Sequence, residues 1–177
     1  MREDTVLLIK AQQNDAHAFE EILQKYERLI YFVARRYFPN SEDAMDASQE
    51  AAIKIYTGMP RITLPEGGNL KAWICTVTAR VCLDALRKRR PTTTELTPDT
   101  PLAPLPSAEE NAADNERNRE IISAIQNLPG DHRMVVILRD MQGLAYEEIA
   151  NILKISVGTV KSRLSRARGS LQKVLKV

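Results

Sequence analysis

Residues 91–113 hold five of the chain's nine prolines (Pro91, Pro98, Pro101, Pro104 and Pro106), four carboxylates, and no lysine or arginine. Proline fixes its own φ and offers no backbone N–H, and the prolines of this stretch are mixed with Thr and Ala. Such a stretch cannot build a packed core and reads as an extended, flexible linker. The 177-residue chain therefore divides into two modules, residues 1–90 and 114–177, each with its own core to make.

Both modules read as helical. Glycine is scarce (7 residues) and aromatics are 5% of the chain, while straight-chain residues that lose little freedom in a helix are plentiful. Phe19, Ile22, Leu23, Tyr26, Leu29, Ile30, Val33 and Tyr37 recur at three- and four-residue steps along one long helix, which Pro39 ends. Asn40 or Ser41 can cap the next, running to about Tyr56. A loop with Gly58, Pro60, Pro65, Gly67 and Gly68 leads to a helix from about Leu70 to Arg90, with Trp73, Val77 and Val81 along one side. It closes in Arg87-Lys88-Arg89-Arg90, cations that a helix C-terminus favours in any case. The predicted fold is all-α: two small helical domains on a flexible Pro-rich tether.

The second module carries the sharper signal. Ile121, Ile122, Ile125 and Leu128 mark one helix stopped by Pro129-Gly130, and Met134 to Met141 a short apolar one ended by Gly143. Two more follow, about Ala145–Leu153 and Val157–Leu175. Ala150 is small enough for a close crossing, Ile149, Leu153, Ile155, Val160 and Leu164 can share a core, and Ser156 can cap the last helix. That is a helix-turn-helix, whose second helix enters the major groove of DNA. Ser156, Thr159, Lys161, Ser162, Arg163, Ser165, Arg166 and Arg168 supply hydrogen bonds and positive charge, and from Lys154 onward the chain has seven Lys or Arg and no acid. Lys154 occupies the turn position where glycine is usual; a positive φ there would cost Lys ~1–2 kcal/mol.

The remaining composition narrows the function. MREDTVLLIK lacks the apolar core of a signal peptide, and no run approaches the ~20 apolar residues that span a bilayer, so a cytoplasmic protein without membrane insertion is expected. Cys75 and Cys82 lie seven residues apart on one helix, ~10 Å along its axis, too far to bridge; they read as small buried hydrophobes. With only His17 and His132, no metal-ligand spacing and no phosphate-cradling glycine loop, neither catalytic residues nor a metal nor a cofactor is expected.

The run from Ser156-Val157-Gly158-Thr159-Val160-Lys161-Ser162-Arg163-Leu164-Ser165-Arg166-Ala167-Arg168, with Leu128-Pro129, Arg133, Val135 to Arg139, Gly143-Leu144 and Glu148-Ile149-Ala150, resembles region 4 of bacterial RNA polymerase sigma factors of the extracytoplasmic-function (ECF) class. That resemblance implies reading of the promoter −35 element by Ser156, Thr159, Lys161, Ser162, Arg163, Arg166 and Arg168. Phe19 to Tyr37 and Asp46-Ala47-Ser48-Gln49-Glu50 resemble region 2 of the same class, implying that Asp46, Gln49 and Glu50 grip the coiled coil of the polymerase's largest subunit. Trp73-Ile74, Val77, Asp84, Leu86 and Arg87 to Arg90 resemble its −10 helix, implying −10 contacts by Arg80, Asp84, Arg87, Lys88, Arg89 and Arg90, with the Gly58–Leu70 loop capturing a flipped base. Arg80 stands where the family usually has Asn, Cys75 where an aromatic is common, and Asp46-Ala47-Ser48 is less apolar than the usual Asp-Leu-Val. Glu95, Asp99, Glu109 and Glu110 of the tether either mimic nucleic-acid charge inside the polymerase or belong to a plain spacer.

The resemblance implies a transcription initiation factor that is not an enzyme. Its partners would be the core polymerase (largest-subunit coiled coil and flap), promoter DNA, and an inhibitory anti-sigma factor able to hold it at the membrane. Two rival readings stand beside it. A DNA-binding activator would use the same helix-turn-helix but leave Asp46–Glu50 and the 87–90 cluster without a role. A nucleic-acid-processing enzyme lacks the catalytic parts.

Overall fold

The structure, a computed structural model, describes residues 3–64, 69–89 and 112–175. Its α-helices are α1 (Glu3–Gln12), α2 (Ala16–Tyr37), α3 (Ser41–Gly58), α4 (Leu70–Arg89), α5 (Ala112–Gln126), α6 (Gly130–Val136), α7 (Tyr146–Leu153) and α8 (Val157–Leu175). A 3-10 turn, Met59–Arg61, follows α3, and a π-helical turn, Ile137–Met141, continues α6. Among the described residues there is no strand, so the all-α expectation holds. Of the proline-rich stretch only residues 112 and 113 are described, as the start of α5.

Local chemistry sets the helix ends. Asp15 caps α2, its carboxylate accepting from the backbone N–H groups of His17 (3.0 Å) and Ala18 (3.2 Å). Pro39 disfavours helical backbone at Phe38, which is extended (φ −99°, ψ 129°), and α2 stops there. Asn40 caps α3 through Glu42 N–H (2.8 Å), and Asn69 accepts from Lys71 N–H (2.9 Å) at the start of α4.

The first module is built around α2. Phe19, Ile22, Tyr26, Ile30, Val33 and Tyr37 are buried against α3 and α4, whereas Leu23 and Leu29 sit at the edge of the stripe. The inward face of α3 is made of small residues (Ala44, Ala47, Ser48 and Ala51), which permits close helix approach. Ser48 is tolerated there because its hydroxyl donates to Met45 C=O at 2.8 Å. Cys75 and Cys82 are both free and buried, and burial pushes each thiol up to about 12.

The two modules pack on each other. Gln126 of α5 donates from Nε2 to the carbonyls of Arg35 (3.0 Å) and Phe38 (3.3 Å) at the C-terminus of α2. Arg133 of α6 donates to Tyr37 C=O through Nη1 and to Leu128 C=O through Nη2. Lys71 of α4 donates to Gln142 C=O at 3.0 Å. A Cβ on Gly130 would lie 3.2 Å from both Tyr37 Oη and Leu86 Cδ2, so glycine lets α6 approach this closely.

Candidate nucleic-acid interface

α7 and α8 form the helix-turn-helix. Ile149, Val160 and Leu164 are buried between them, Leu153 and Ile155 lie at the rim, and Ala150 is buried where the helices meet. Glu148 ties down the first turn of α7, its carboxylate accepting from Ala145 N–H at 2.7 Å. The turn keeps the left-handed geometry: Lys154 has φ 54° and ψ 47°, and its N–H caps Ala150 C=O. Lysine thus occupies a glycine conformation without altering the turn, at ~1–2 kcal/mol of local strain. Ser156 then caps α8, accepting from Thr159 N–H at 3.1 Å.

The polar residues of α8 divide into two sets. Ser162, Ser165 and Arg166 are exposed and lie opposite the buried stripe of Val160, Leu164 and Ala167, at the spacing one helix face requires. Ser156 and Lys161 are exposed beside them and Thr159 is half-buried. Arg163 and Arg168 instead flank the core. Arg163 pairs with Asp131 at 3.0 Å, and Arg168 makes a two-point pair with Asp140, its Nε 3.1 Å from Oδ2. That hydrogen bond raises the Arg168 pKa above its ordinary value. Tyr146 carries the Arg139 guanidinium 4.6 Å above its ring and Lys161 Nζ at 5.9 Å. The sequence-predicted residues of this face lie on α8, with Ser156 at its cap, but Arg163 and Arg168 are tied to acids of the same module, Asp131 and Asp140, that the sequence reading did not connect to them.

On α4, Arg80, Asp84, Arg87 and Lys88 are exposed at i, i+4, i+7 and i+8, forming one face. Asp84 and Arg87 approach to 3.7 Å with most of each side chain in solvent, a loose pair. Arg89 is the last residue of the helix, and Arg90 lies outside the described residues, as do residues 65–68 of the loop. Trp73 is half-buried and packs against Gly58, which ties that loop to α4.

α3 presents Asp46 and Gln49 to solvent and Glu50 partly so, with Glu50 bridged to Lys54 at 2.8 Å; that hydrogen bond lowers the Glu50 pKa. On the same side stand Met45, Ile53 and Tyr56, 47%, 64% and 53% exposed. Half of the large exposed hydrophobics among the described residues therefore lie on one helix face, interleaved with the acids. The sequence reading missed them; their spacing of four, four and three with Gln49 was the available signal.

Comparison with known proteins agrees with this geometry. The family pattern "Sigma-70 region 2" matches residues 22–92 and "Sigma-70, region 4" matches residues 118–171. The chain is 30% identical to the RNA polymerase sigma-H factor of Pseudomonas aeruginosa, over 98% of this chain and 94% of that one. It is also 30% identical to the ECF sigma factor SigM of Mycobacterium tuberculosis (98% and 85%) and to the ECF sigma-E factor of Escherichia coli (95% and 92%). A solved structure of the sigma factor RpoE with the anti-sigma factor NepR from Bartonella quintana matches with a TM-score of 0.73 and 26% identity, over 90% of this chain and 97% of that one. The chain belongs to the sigma factors of RNA polymerase, in the ECF class. Members of that family are transcription initiation factors rather than catalysts, and they act with RNA polymerase at promoters.

Proposed function

We propose that this protein docks on core RNA polymerase through α3, reads a −35 element with α8 and a −10 element with α4 and its preceding loop, and stabilises the opened −10 segment. The observation that carries the reading is the outer face of α8: Ser162, Ser165 and Arg166 exposed opposite the core, on a helix that Ser156 caps and the Lys154 turn aims. Arginine there can grip guanine bidentately or neutralise a phosphate, and the hydroxyls add directional contacts. The acid-and-apolar stripe of α3 suits a charged protein partner and leaves the activator reading short of an explanation. Tethering makes the second DNA contact intramolecular, so two weak binders act as one. The polymerase supplies all covalent chemistry.

Among the described residues no helix is long and apolar enough to cross a membrane and no acid, His and Cys cluster could hold a metal, so nothing in this mechanism is assigned to either. A co-crystallised anti-sigma factor in the RpoE–NepR structure supports an inhibitory partner for this chain as well, acting in the cytoplasm where polymerase works. The test is transcription in vitro from fragmented genomic DNA with cognate core polymerase, mapping RNA 5′ ends. New starts sharing −35 and −10 sequences, lost in Asp46→Ala/Glu50→Ala, are expected. Activity only when holoenzyme replaces core would assign the protein to the activators instead.

A further inference from the structure

Helix α1 packs against both α2 and the 3-10 turn Met59–Arg61. Leu7, Leu8 and Ala11 are its buried residues, and Gln12, its last, is half-buried beside them. The Gln12 amide is aimed across the module rather than along its own helix. Its Nε2 donates to Ile62 C=O at 2.7 Å and reaches Met59 C=O at 3.5 Å. A primary amide carries two N–H donors, so this one group can serve both carbonyls.

Those two carbonyls bracket the turn. Its own backbone closure, from Ile62 N–H to Met59 C=O, is long at 3.4 Å. Ile62 is extended (φ −74°, ψ 137°) where the chain leaves the turn. A peptide unit is planar, so fixing the Ile62 carbonyl also fixes the Thr63 N–H and the direction of the chain beyond it. The residues before the turn are held too. Met59 is fully buried, and a Cβ on Gly58 would fall 3.3 Å from Trp73 Cζ2. Ile62 and Leu64 pack at the edge of the core while Arg61 and Thr63 are exposed, the in-and-out alternation of extended chain. Arg61 and Thr63 thus share the outward side just ahead of α4. Ordering a glutamine side chain costs about as much as one hydrogen bond returns, so the contact does little for overall stability. What it determines is direction.

We propose that Gln12 is a positioning residue for −10 recognition, its amide holding the Met59–Leu64 segment so that Arg61 and Thr63 are presented to the promoter strand. The proposal rests on α4 and its preceding loop being the −10 reader. Arg61 supplies a cation for a phosphate, and Thr63 a hydroxyl and a backbone N–H for a base edge. A base taken out of the stack costs free energy, which donors already in place offset better than donors that must first be ordered. Loosening the segment therefore lowers discrimination among −10 sequences and leaves −35 reading as it was.

The experiment uses the full chain with cognate core polymerase on one of its own mapped promoters, with the −10 element randomised in one library and the −35 element in another. Wild type is compared with Gln12→Met, which keeps the length and removes the donors, and with Gln12→Lys, whose ammonium can again donate to both carbonyls. At the sensitive −10 positions wild type should prefer the best base about tenfold, and Gln12→Met about threefold or less. Its −35 preferences should be unchanged and its melting temperature within about 4 °C of wild type. Gln12→Lys should restore the −10 preference. In Arg61→Ala/Thr63→Ala the preference should already be lost, and adding Gln12→Met should change nothing further. An unchanged −10 preference in Gln12→Met, an equal loss at −35, or a full additional loss on top of Arg61→Ala/Thr63→Ala would overturn the assignment. Should Gln12→Met melt much lower, Gln12→Lys decides, and a stable Gln12→Lys without −10 preference overturns it as well. Core-dependent starts in wild type with no −10 preference at all would instead remove the −10 reading of α4 and its loop, and Gln12 with it.

Discussion

Lys154 and the paired arginines of α8 show how single residues divide between holding the module and using it. Lys154 sits at φ 54° in a position that a residue without Cβ adopts freely. Lys154→Gly removes ~1–2 kcal/mol of strain but adds freedom to the unfolded chain, so a net gain of about 1 kcal/mol is expected in urea denaturation. A loss of stability would mean that the lysine side chain contributes more than its backbone costs. Arg166 and Arg168, two residues apart, should behave oppositely. Arg166→Ala is expected to weaken promoter binding by ~1–3 kcal/mol, the worth of one guanine contact, with an unchanged melt. Arg168→Ala loses its two-point pair with Asp140 and should cost up to ~1 kcal/mol of stability, since the pair is half in solvent. Equal effects of the two on binding, read by fluorescence anisotropy, would erase that division.

At the scale of the element, α3 carries most of its information on the side that the core does not use. Ile53 is 64% exposed, so Ile53→Ser should leave the melting temperature within about a degree of wild type while weakening binding to core polymerase about tenfold. Tyr56 is a less clean target because its ring lies 5.0 Å from Phe19, and Tyr56→Ser should lose some stability as well as binding. Titration of labelled protein with core enzyme distinguishes the cases, and wild-type affinity for Ile53→Ser would show that the stripe is not the docking face. Helices such as α2 and α8 were legible because a long buried stripe repeats at helical spacing and a cap or proline marks its ends. The start of α2 at Ala16, three residues before the first large apolar residue, follows from the Asp15 cap rather than from periodicity. α3 was legible as a helix, but the exposure of its apolar residues was not. Met45 and Ile53 carry the same letters whether they face a core or a partner, and only packing tells them apart.

Charge and proline content suggest two modules, and the helical fold can be read from its buried stripes. The modules' packing against one another cannot, because it is made by Gln126, Arg133 and Lys71 reaching backbone carbonyls, contacts that leave no periodic trace. Tyr37 belongs to the same boundary. Its hydroxyl is buried with no hydrogen-bond partner among the described residues, and burial pushes the phenol from 10.0 up to about 12. The thiols of Cys75 and Cys82 move from 9.0 to about 12 for the same reason. In each case the folded state favours the protonated form, so between the ordinary and the shifted pKa it binds more protons than the unfolded chain. Stability from these groups is therefore complete below about pH 9 and drains away as pH climbs towards 12, the thiols contributing first and the phenol from about pH 10. Lys25, whose protonated form Glu3 and Asp4 stabilise, acts in the same direction but only above its ordinary 10.5. Thermal melts from pH 7 to 11 should be level to about pH 9 and then fall. In Cys75→Ala/Cys82→Ala the fall should begin about one pH unit later, whatever the variant's absolute stability. Tyr37→Phe, which keeps the ring and deletes the unpartnered hydroxyl, should make the remaining slope between pH 10 and 11 shallower, leaving the part due to the Tyr26 phenol, which burial and Asp4 also hold protonated, and should raise stability at neutral pH by ~1 kcal/mol. A melt that declines from pH 7, or a cysteine variant with the wild-type onset, would mean that these buried groups ionise only after the fold has already been lost for another reason.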